Sequence, residues 1–372
     1  MPHVTITPDE YRPAPPPDDI KHCYRIGVVG CGSIMRGVHL RAYRNFGYTV
    51  TACCDVVAEH ASLAATEYGI PFQTTNLEAL LARDDVDVID LAVHASQRRP
   101  VVERIAAAGK PLLSQKPFAL HYADAVAMVD TCALAGVSLM INQQARWAPA
   151  HRALKLLIER GVLGHVYAVT HMLRAFQDTP GSWYAALEHF NIIDHGIHYM
   201  DHSRYFTGRT PERVKCTTTR MPGQAAVSPM IYSMSLEYAP EAQVMASLHF
   251  NNIVQTRVAH SQTWYIDGSE GSAWASQSRL NLSFKDNPLA TQTFALEGAW
   301  FPDAFGGSMA ERMLSLAEGR EPQTSGRDNL NSIKIAYAAV RSSEEGRAVA
   351  LREITADAYQ QSRQDLGGGN GR

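Results

Sequence analysis

The sequence lacks any apolar stretch of the roughly 18 residues that a membrane helix needs, so a membrane-spanning role is not expected. It also lacks an excess of either charge. A net charge of −3 with no lysine or arginine run argues against nucleic acid or an anionic membrane as partner. The six cysteines, Cys23, Cys31, Cys53, Cys54, Cys132 and Cys216, contain no C-x-x-C pair, which removes the usual zinc-ribbon and redox-pair readings. Cys53 and Cys54 lie in a strand-like stretch where neighbours point to opposite faces, so reduced, buried thiols of a cytoplasmic protein are expected. The N-terminal segment has no basic start followed by an apolar run, and no secretory signal is read there. No internal repeat is found.

What is present is enough chain for two cores, since 372 residues exceed the roughly 100–200 of one domain. Residues 1–21 carry Pro13 and Pro15 to Pro17 and are read as a proline-rich arm without helix or inner strand. From there to residue 142, short apolar runs (RIGVVG, YTVTACCD, VDVIDLAV, PLLSQ, VSLMI) alternate with helix-like stretches such as VVERIAAAGK. Continuous apolar strands separated by helices indicate a parallel, doubly wound sheet of the Rossmann kind. Residues 143–360 change character. One helix over Arg152–Arg160 is followed by longer segments, among them HVYAVTHMLRAF, MIYSMSLEYA and AQVMASLHFNN, several of which alternate polar with apolar. That pattern predicts an α+β domain built on a large, mostly antiparallel open sheet. A helical stretch, EHFNIIDHGIHYMDHSRYF, interrupts it, another helix is expected near Asn329–Glu345, and residues 361–372 read as a flexible tail.

Gly30-Cys31-Gly32-Ser33-Ile34-Met35 follows the first strand and opens the first helix. The first glycine serves the tight turn and the second a close approach to pyrophosphate, which would lie on the helix N-terminal amides of Ser33 and Ile34. Met35 stands where a third glycine is usual. Asp55 ends the second strand, about 20 residues on, where a carboxylate can bind both ribose hydroxyls and repel a 2′-phosphate. These features indicate NAD. S-adenosylmethionine enzymes share a glycine-rich turn and an acidic second strand end, and remain the alternative at this point.

The chain resembles the glucose–fructose oxidoreductase / inositol dehydrogenase / MocA family over about residues 22–350. Three features carry the resemblance: IGVVGCGSI followed by His39, Gln115-Lys116-Pro117, and Asp194-His195-Gly196-Ile197-His198-Tyr199-Met200-Asp201. They are similar to the family's glycine-rich turn, Glu-Lys-Pro and D-x-G-x-H-x-x-D segments. The resemblance implies a catalytic group of Lys116, Asp194 and His198 beside the nicotinamide, with Val93, His94 and Gln115 also near the cofactor. Removing hydride from a secondary alcohol needs a base for the hydroxyl proton and a cation for the developing alkoxide. Both Lys116 and His198 fit the base, and Asp194, four residues before His198, would share its helix face. The chain departs from the family at Gln115, which removes a negative charge beside Lys116. It departs again at Val93-His94-Ala95-Ser96-Gln97-Arg98, where T-P-x-x-x-H is usual.

Further residues are read on the same footing. Arg146 is a candidate substrate or cofactor contact, with a structural ion pair as the equal alternative. Trp183 is a candidate sugar-stacking wall, and His171 and His195 are candidate pocket residues. His198 and His202 have i, i+4 spacing, but no Glu follows His198 as in H-E-x-x-H, and no metal is expected. The function expected is NAD(H)-dependent hydride transfer to or from a sugar, polyol or related cyclic alcohol, by a homodimer or homotetramer assembled through the second domain's sheet. Transient oxidation by retained NAD during glycoside cleavage or elimination is the runner-up, and a non-catalytic NAD-binding regulator the third reading.

Overall fold

The computed structural model describes residues 3–356. Two short helices, α1 (Pro8–Tyr11) and α2 (Asp18–Cys23), precede the first strand. The chain divides into a unit of residues 13–148 with 299–330, and a unit of residues 149–298 flanked by 3–12 and 331–356.

The first unit holds six parallel strands: β1 (Ile26–Val29), β2 (Val50–Cys54), β3 (Phe72–Thr74), β4 (Val88–Leu91), β5 (Leu112–Gln115) and β6 (Leu139–Asn142). Their order β3-β2-β1-β4-β5-β6 is the doubly wound arrangement, with its switch point beside β1. Helices α3 (Leu40–Phe46), α4 (Ala58–Tyr68), α5 (Leu77–Leu81), α6 (Ala95–Ala107) and α7 (Tyr122–Leu134) connect them. Every residue of β1, β4, β5 and β6 is buried, which is why these strands read as unbroken apolar runs.

The second unit opens with α8 (Pro149–Glu159) and β7 (Val166–Arg174). It continues with α9 (Ile197–Thr207), β8 (Arg213–Thr219), β9 (Ile231–Glu237), β10 (Met245–Asn251), β11 (Ser261–Gly268), β12 (Gly271–Ser276), β13 (Arg279–Phe284) and β14 (Asn287–Ala295). After α10 (Asp303–Ala317), α11 (Gly326–Glu345) and β15 (Val349–Ala350) complete the described chain. The nine strands run β14-β13-β12-β11-β7-β10-β9-β8-β15, antiparallel except for the parallel β7–β10 pair. Tyr232, Met234 and Leu236 of β9 and Ala246, Leu248 and Phe250 of β10 turn to one buried face; α9 packs on β7 and β10, and α8 on β12 and β13. The alternating pattern is thus realised as one dry and one wetter face.

Two features differ from the sequence reading. Residues 299–330 return to the first unit instead of staying in one 143–360 domain. There Phe305, Met309 and Met313 of α10 join Met35, Leu40 and Tyr43 in its core, each buried side chain contributing about 1.5–3 kcal/mol. The proline-rich arm is helical in two places. Pro8 takes the first helical position, which needs no N–H, and the Glu10 carboxylate accepts the Thr7 N–H at 2.7 Å. Tyr11 is buried in the second unit, its hydroxyl accepting the Glu297 N–H at 3.0 Å. The expected flexible tail lies outside the described residues.

Candidate active site

In the first unit the glycine-rich turn is shaped by a close backbone approach at Gly30. Gly30 has φ +88°, and a Cβ there would meet the Ala92 backbone at 2.9 Å. A Cβ on Gly32 would meet nothing within 4 Å, so this part of the turn faces open space. The helix begins at Ser33 and Ile34, whose N–H groups precede any intrahelical acceptor. Asp55, just past β2, accepts the Cys31 N–H on Oδ2 at 2.7 Å and the Val57 N–H on Oδ1 at 2.8 Å. A carboxylate has about four lone-pair sites, so two remain for hydroxyl groups. A bare turn, a helix N-terminus and an acceptor with spare capacity fit a dinucleotide.

Lys116 follows β5, and its peptide bond to Pro117 is cis. Its N–H donates to Gln115 Oε1 at 2.7 Å. Gln115 Nε2 lies 3.1 Å from His39 Nε2, and His39 Nδ1 lies 2.7 Å from Asp90 Oδ2. The Tyr43 hydroxyl donates to the same oxygen at 2.6 Å. Burial and the neighbouring carboxylate raise the Tyr43 phenol well above its ordinary range, which keeps it a donor. On the other side of Lys116, the buried Arg98 guanidinium donates to Pro117 O, to Phe118 O at 3.1 Å and to Val93 O at 2.8 Å. Arg98 is therefore a clamp on backbone carbonyls. Exposed His94 caps α6, its Nδ1 receiving the Ser96 N–H at 3.4 Å. Arg146 pairs with Asp328 at 3.4 Å and donates to Gln323 O at 3.2 Å, the structural alternative left open above.

In the second unit, Asp194 and His195 lie in a π-helical turn, Phe190–His195, and His198 is on the first turn of α9, buried. The two are not on one continuous α-helix as the i, i+4 reading assumed. Single π-turns are often found where a helix is bent to aim functional side chains. Gly196 is required at the joint, since a Cβ there would meet Ile192 O and Tyr232 Oη at 2.8 Å. A chain of amides aims His195: Asn191 Nδ2 donates to Pro229 O at 3.1 Å, which turns Asn191 Oδ1 toward Asn252 Nδ2. Asn252 Nδ2 then lies 2.9 Å from His195 Nδ1, which must accept, leaving the neutral ring's proton on Nε2. Asp201, the last residue of the motif, is buried and accepts the Ser332 hydroxyl at 2.8 Å, a packing role.

Trp183 is 62% exposed and meets Tyr184 and Phe190 edge-on. His171 is fully buried on the dry side of β7, stacked on Tyr199 at 4.3 Å and tilted against Trp264 at 4.3 Å. That is a core position and not the pocket position read from alternation. His202 packs against His151 and Phe206, which accounts for part of the histidine crowding.

A family profile for GFO/IDH/MocA oxidoreductases with an NAD-binding Rossmann fold matches residues 24–143, and the GFO/IDH/MocA C-terminal domain matches residues 151–274. The D-apiose dehydrogenase of Paraburkholderia graminis is 32% identical over 347 residues, 90% of this chain and 92% of its own length. The chain belongs to the GFO/IDH/MocA oxidoreductase family. Inositol 2-dehydrogenase of Rhizobium meliloti is 25% identical across 88% of this chain and 99% of its own. A crystal structure of an oxidoreductase from Agrobacterium radiobacter, in complex with NAD+, L-tartaric acid and magnesium, superposes with a TM-score of 0.80. It has 25% identity and covers 89% of this chain and 99% of that one.

As a GFO/IDH/MocA protein it is an NAD-dependent oxidoreductase, and its glycine-rich turn, Lys-Pro and Asp-x-Gly-x-His segments occupy the elements just described. The sequence missed Asp90, Tyr43 and Asn252. No motif signals them, because their partners are 47 to 61 residues away in the chain. The single aspartate in the otherwise apolar run of β4 was the one available hint.

Proposed function

We propose that this protein oxidises a secondary hydroxyl of a sugar or polyol, with Lys116, Asp194 and His198 as the catalytic group. The observation that carries the reading is the relatives' shared chemistry along nearly the whole chain: the D-apiose and inositol 2-dehydrogenases both oxidise polyhydroxylated compounds by name. D-apiose is the first substrate to test. Bound NAD+ supplies the hydride acceptor. Gly30, Gly32, Ser33 and Ile34 would hold its pyrophosphate, Asp55 its ribose, with Val93, His94 and Gln115 alongside.

The chain's own residues handle the proton and the oxygen. His198 takes the hydroxyl proton as the carbon loses its hydride, and the substrate carbinol becomes a carbonyl. The Lys116 ammonium stabilises the oxygen as charge develops on it, and Asp194 orients the imidazole or a neighbouring hydroxyl. His195, with its proton on Nε2, supplies a hydrogen-bond donor to the sugar, and the exposed Trp183 an apolar wall for its C–H groups. Arg146 has a secondary claim as a substrate contact through the fixed fork of donors on its guanidinium.

The partner surface is read as a second copy of this chain. The apolar members of β9 face inward, so they do not form the expected patch. The opposite sheet face instead presents Met172, Tyr265 and Trp274, with Tyr265 and Trp274 directly cross-strand. No helix among the described residues is long and apolar enough to cross a membrane. The reading implies the cytosol, where thiols stay reduced. All six cysteines are free, and only Cys23 is exposed.

The test is turnover with a polyol and aldose panel. His198→Ala should lower kcat by roughly 10²–10⁴-fold with NAD affinity nearly unchanged. Wild-type kcat in that variant would remove His198 from the reaction. Substrate cleavage without NADH release would favour the transient-oxidation reading.

A further inference from the structure

The backbone N–H of Lys116 can only donate, and this single fact fixes every proton in the buried chain behind it. Gln115 Oε1 is its acceptor at 2.7 Å, so the side-chain amide cannot be turned the other way. The amide nitrogen therefore faces His39 Nε2 at 3.1 Å and must donate to it. An imidazole nitrogen that accepts carries no proton, so the ring's one proton is on Nδ1, where it donates to Asp90 Oδ2 at 2.7 Å. Tyr43 donates to the same oxygen. His39, Asp90 and Tyr43 are fully buried and Gln115 is 7% exposed, so water does not compete for these positions. Phe305, which carries no charge, meets the ring at 4.7 Å. The titratable groups facing it are Asp90 and Tyr43.

We infer that His39 is a positioning residue for Lys116, held as the neutral Nδ1–H tautomer by the amide of Gln115. Donors point one way along the chain, from Lys116 N–H through Gln115 and His39 to the Asp90 carboxylate, so each bond polarises the next. The chain ties the end of β5 to β4 and to the π-turn Met35–His39, and so fixes the backbone from which the Lys116 side chain departs. Position 115 also sets the charge on His39. A carboxylate there would offer His39 Nε2 an acceptor, and the ring would need a second proton to satisfy it. The inference rests on the reading that Lys116 acts on the substrate, but its first readout does not.

The experiment is Gln115→Glu, which is isosteric and leaves no cavity, followed by ¹⁵N–¹H correlation of selectively labelled histidine rings. His39→Gln assigns the signal. Wild-type protein should show His39 protonated on Nδ1 only, and Gln115→Glu should show both nitrogens protonated. In the same variant kcat should fall between about 10- and 100-fold, as expected when a reacting group is displaced. Its pH profile should gain an ionisation absent from the wild type, while NAD affinity stays within about twofold. A wild-type His39 protonated on Nε2, or an unchanged tautomer in Gln115→Glu, would overturn the inference. So would wild-type kcat and pH profile in Gln115→Glu with a doubly protonated ring. Lys116→Ala separates the two claims: wild-type turnover there sinks the catalytic reading of Lys116, whatever the histidine spectra show.

Discussion

At the scale of single residues, Asp55 shows how a motif position and its structural duty coincide. Its carboxylate holds the glycine-rich turn through Cys31 N–H, and in the proposed reading the same carboxylate binds the ribose. Asp55→Ala should weaken NAD binding by about 10-fold or more, the value of lost hydrogen bonds to a charged group. The preference for NAD over NADP should shrink at the same time. Titration of both cofactors checks this, and equal wild-type affinities would contradict it. Arg98 gives a stability prediction. Its removal strands two buried carbonyls and a third that is part-buried, the buried ones each costing about 1–3 kcal/mol, so Arg98→Ala should lower unfolding free energy by about 2 kcal/mol or more in urea titration. An unchanged midpoint would mean that the clamp is dispensable. The identity of Lys116, Asp194 and His198 as candidates was legible because they sit in contiguous motifs. The roles of His94 and Arg98 were not: from sequence they stood as replacements near the nicotinamide, and only the fold shows a helix cap and a carbonyl clamp.

Elements were legible where hydrophobic period alone decides, as in the apolar strands β1, β2, β4, β5 and β6 and the alternating β9 and β10. They were illegible where the helix departs from its regular turn. Met35–His39 and Phe190–His195 are π-turns, and a 3.6-residue pattern drawn through them puts Asp194 and His198 on one face by assumption. His171 shows the same limit in a strand, since alternation assigns two faces without saying which is dry. Its burial has a consequence for acid stability. Burial first, and then the nearby His151 and His195, lower its basicity well below the usual histidine range. The unfolded chain, with an ordinary value near ~6.5, then binds a proton that the native state refuses. Stability is therefore full above that value and falls as pH drops below it, with a slope of up to ~1.4 kcal/mol per pH unit from this residue. His171→Phe should flatten that part of the profile in denaturant titrations from neutral pH downward. A profile as steep as the wild type would assign the acid sensitivity elsewhere.

For the whole molecule, two-domain architecture was readable from the change of rhythm near residue 142, whereas the return of residues 299–330 to the nucleotide unit was not. A helix such as α10 carries the same amphipathic signal whichever sheet it covers, and only the packing of Phe305, Met309 and Met313 reveals its owner. The outward Met172, Tyr265 and Trp274 predict self-association. Light scattering at micromolar concentration should give a multiple of 40.9 kDa, and Tyr265→Asp should shift it toward the monomer. A wild-type mass of 40.9 kDa would reject the interface. The account as a whole turns on net hydride transfer from a sugar to NAD. Purified protein incubated with NAD+ and D-apiose, with inositol and other polyols in parallel, should release NADH in step with an equal amount of carbonyl product, and Lys116→Ala and His198→Ala should abolish both. NAD that stays bound and cycles without net reduction while the sugar is cleaved, or tight NAD binding with no substrate consumed across the panel, would contradict it.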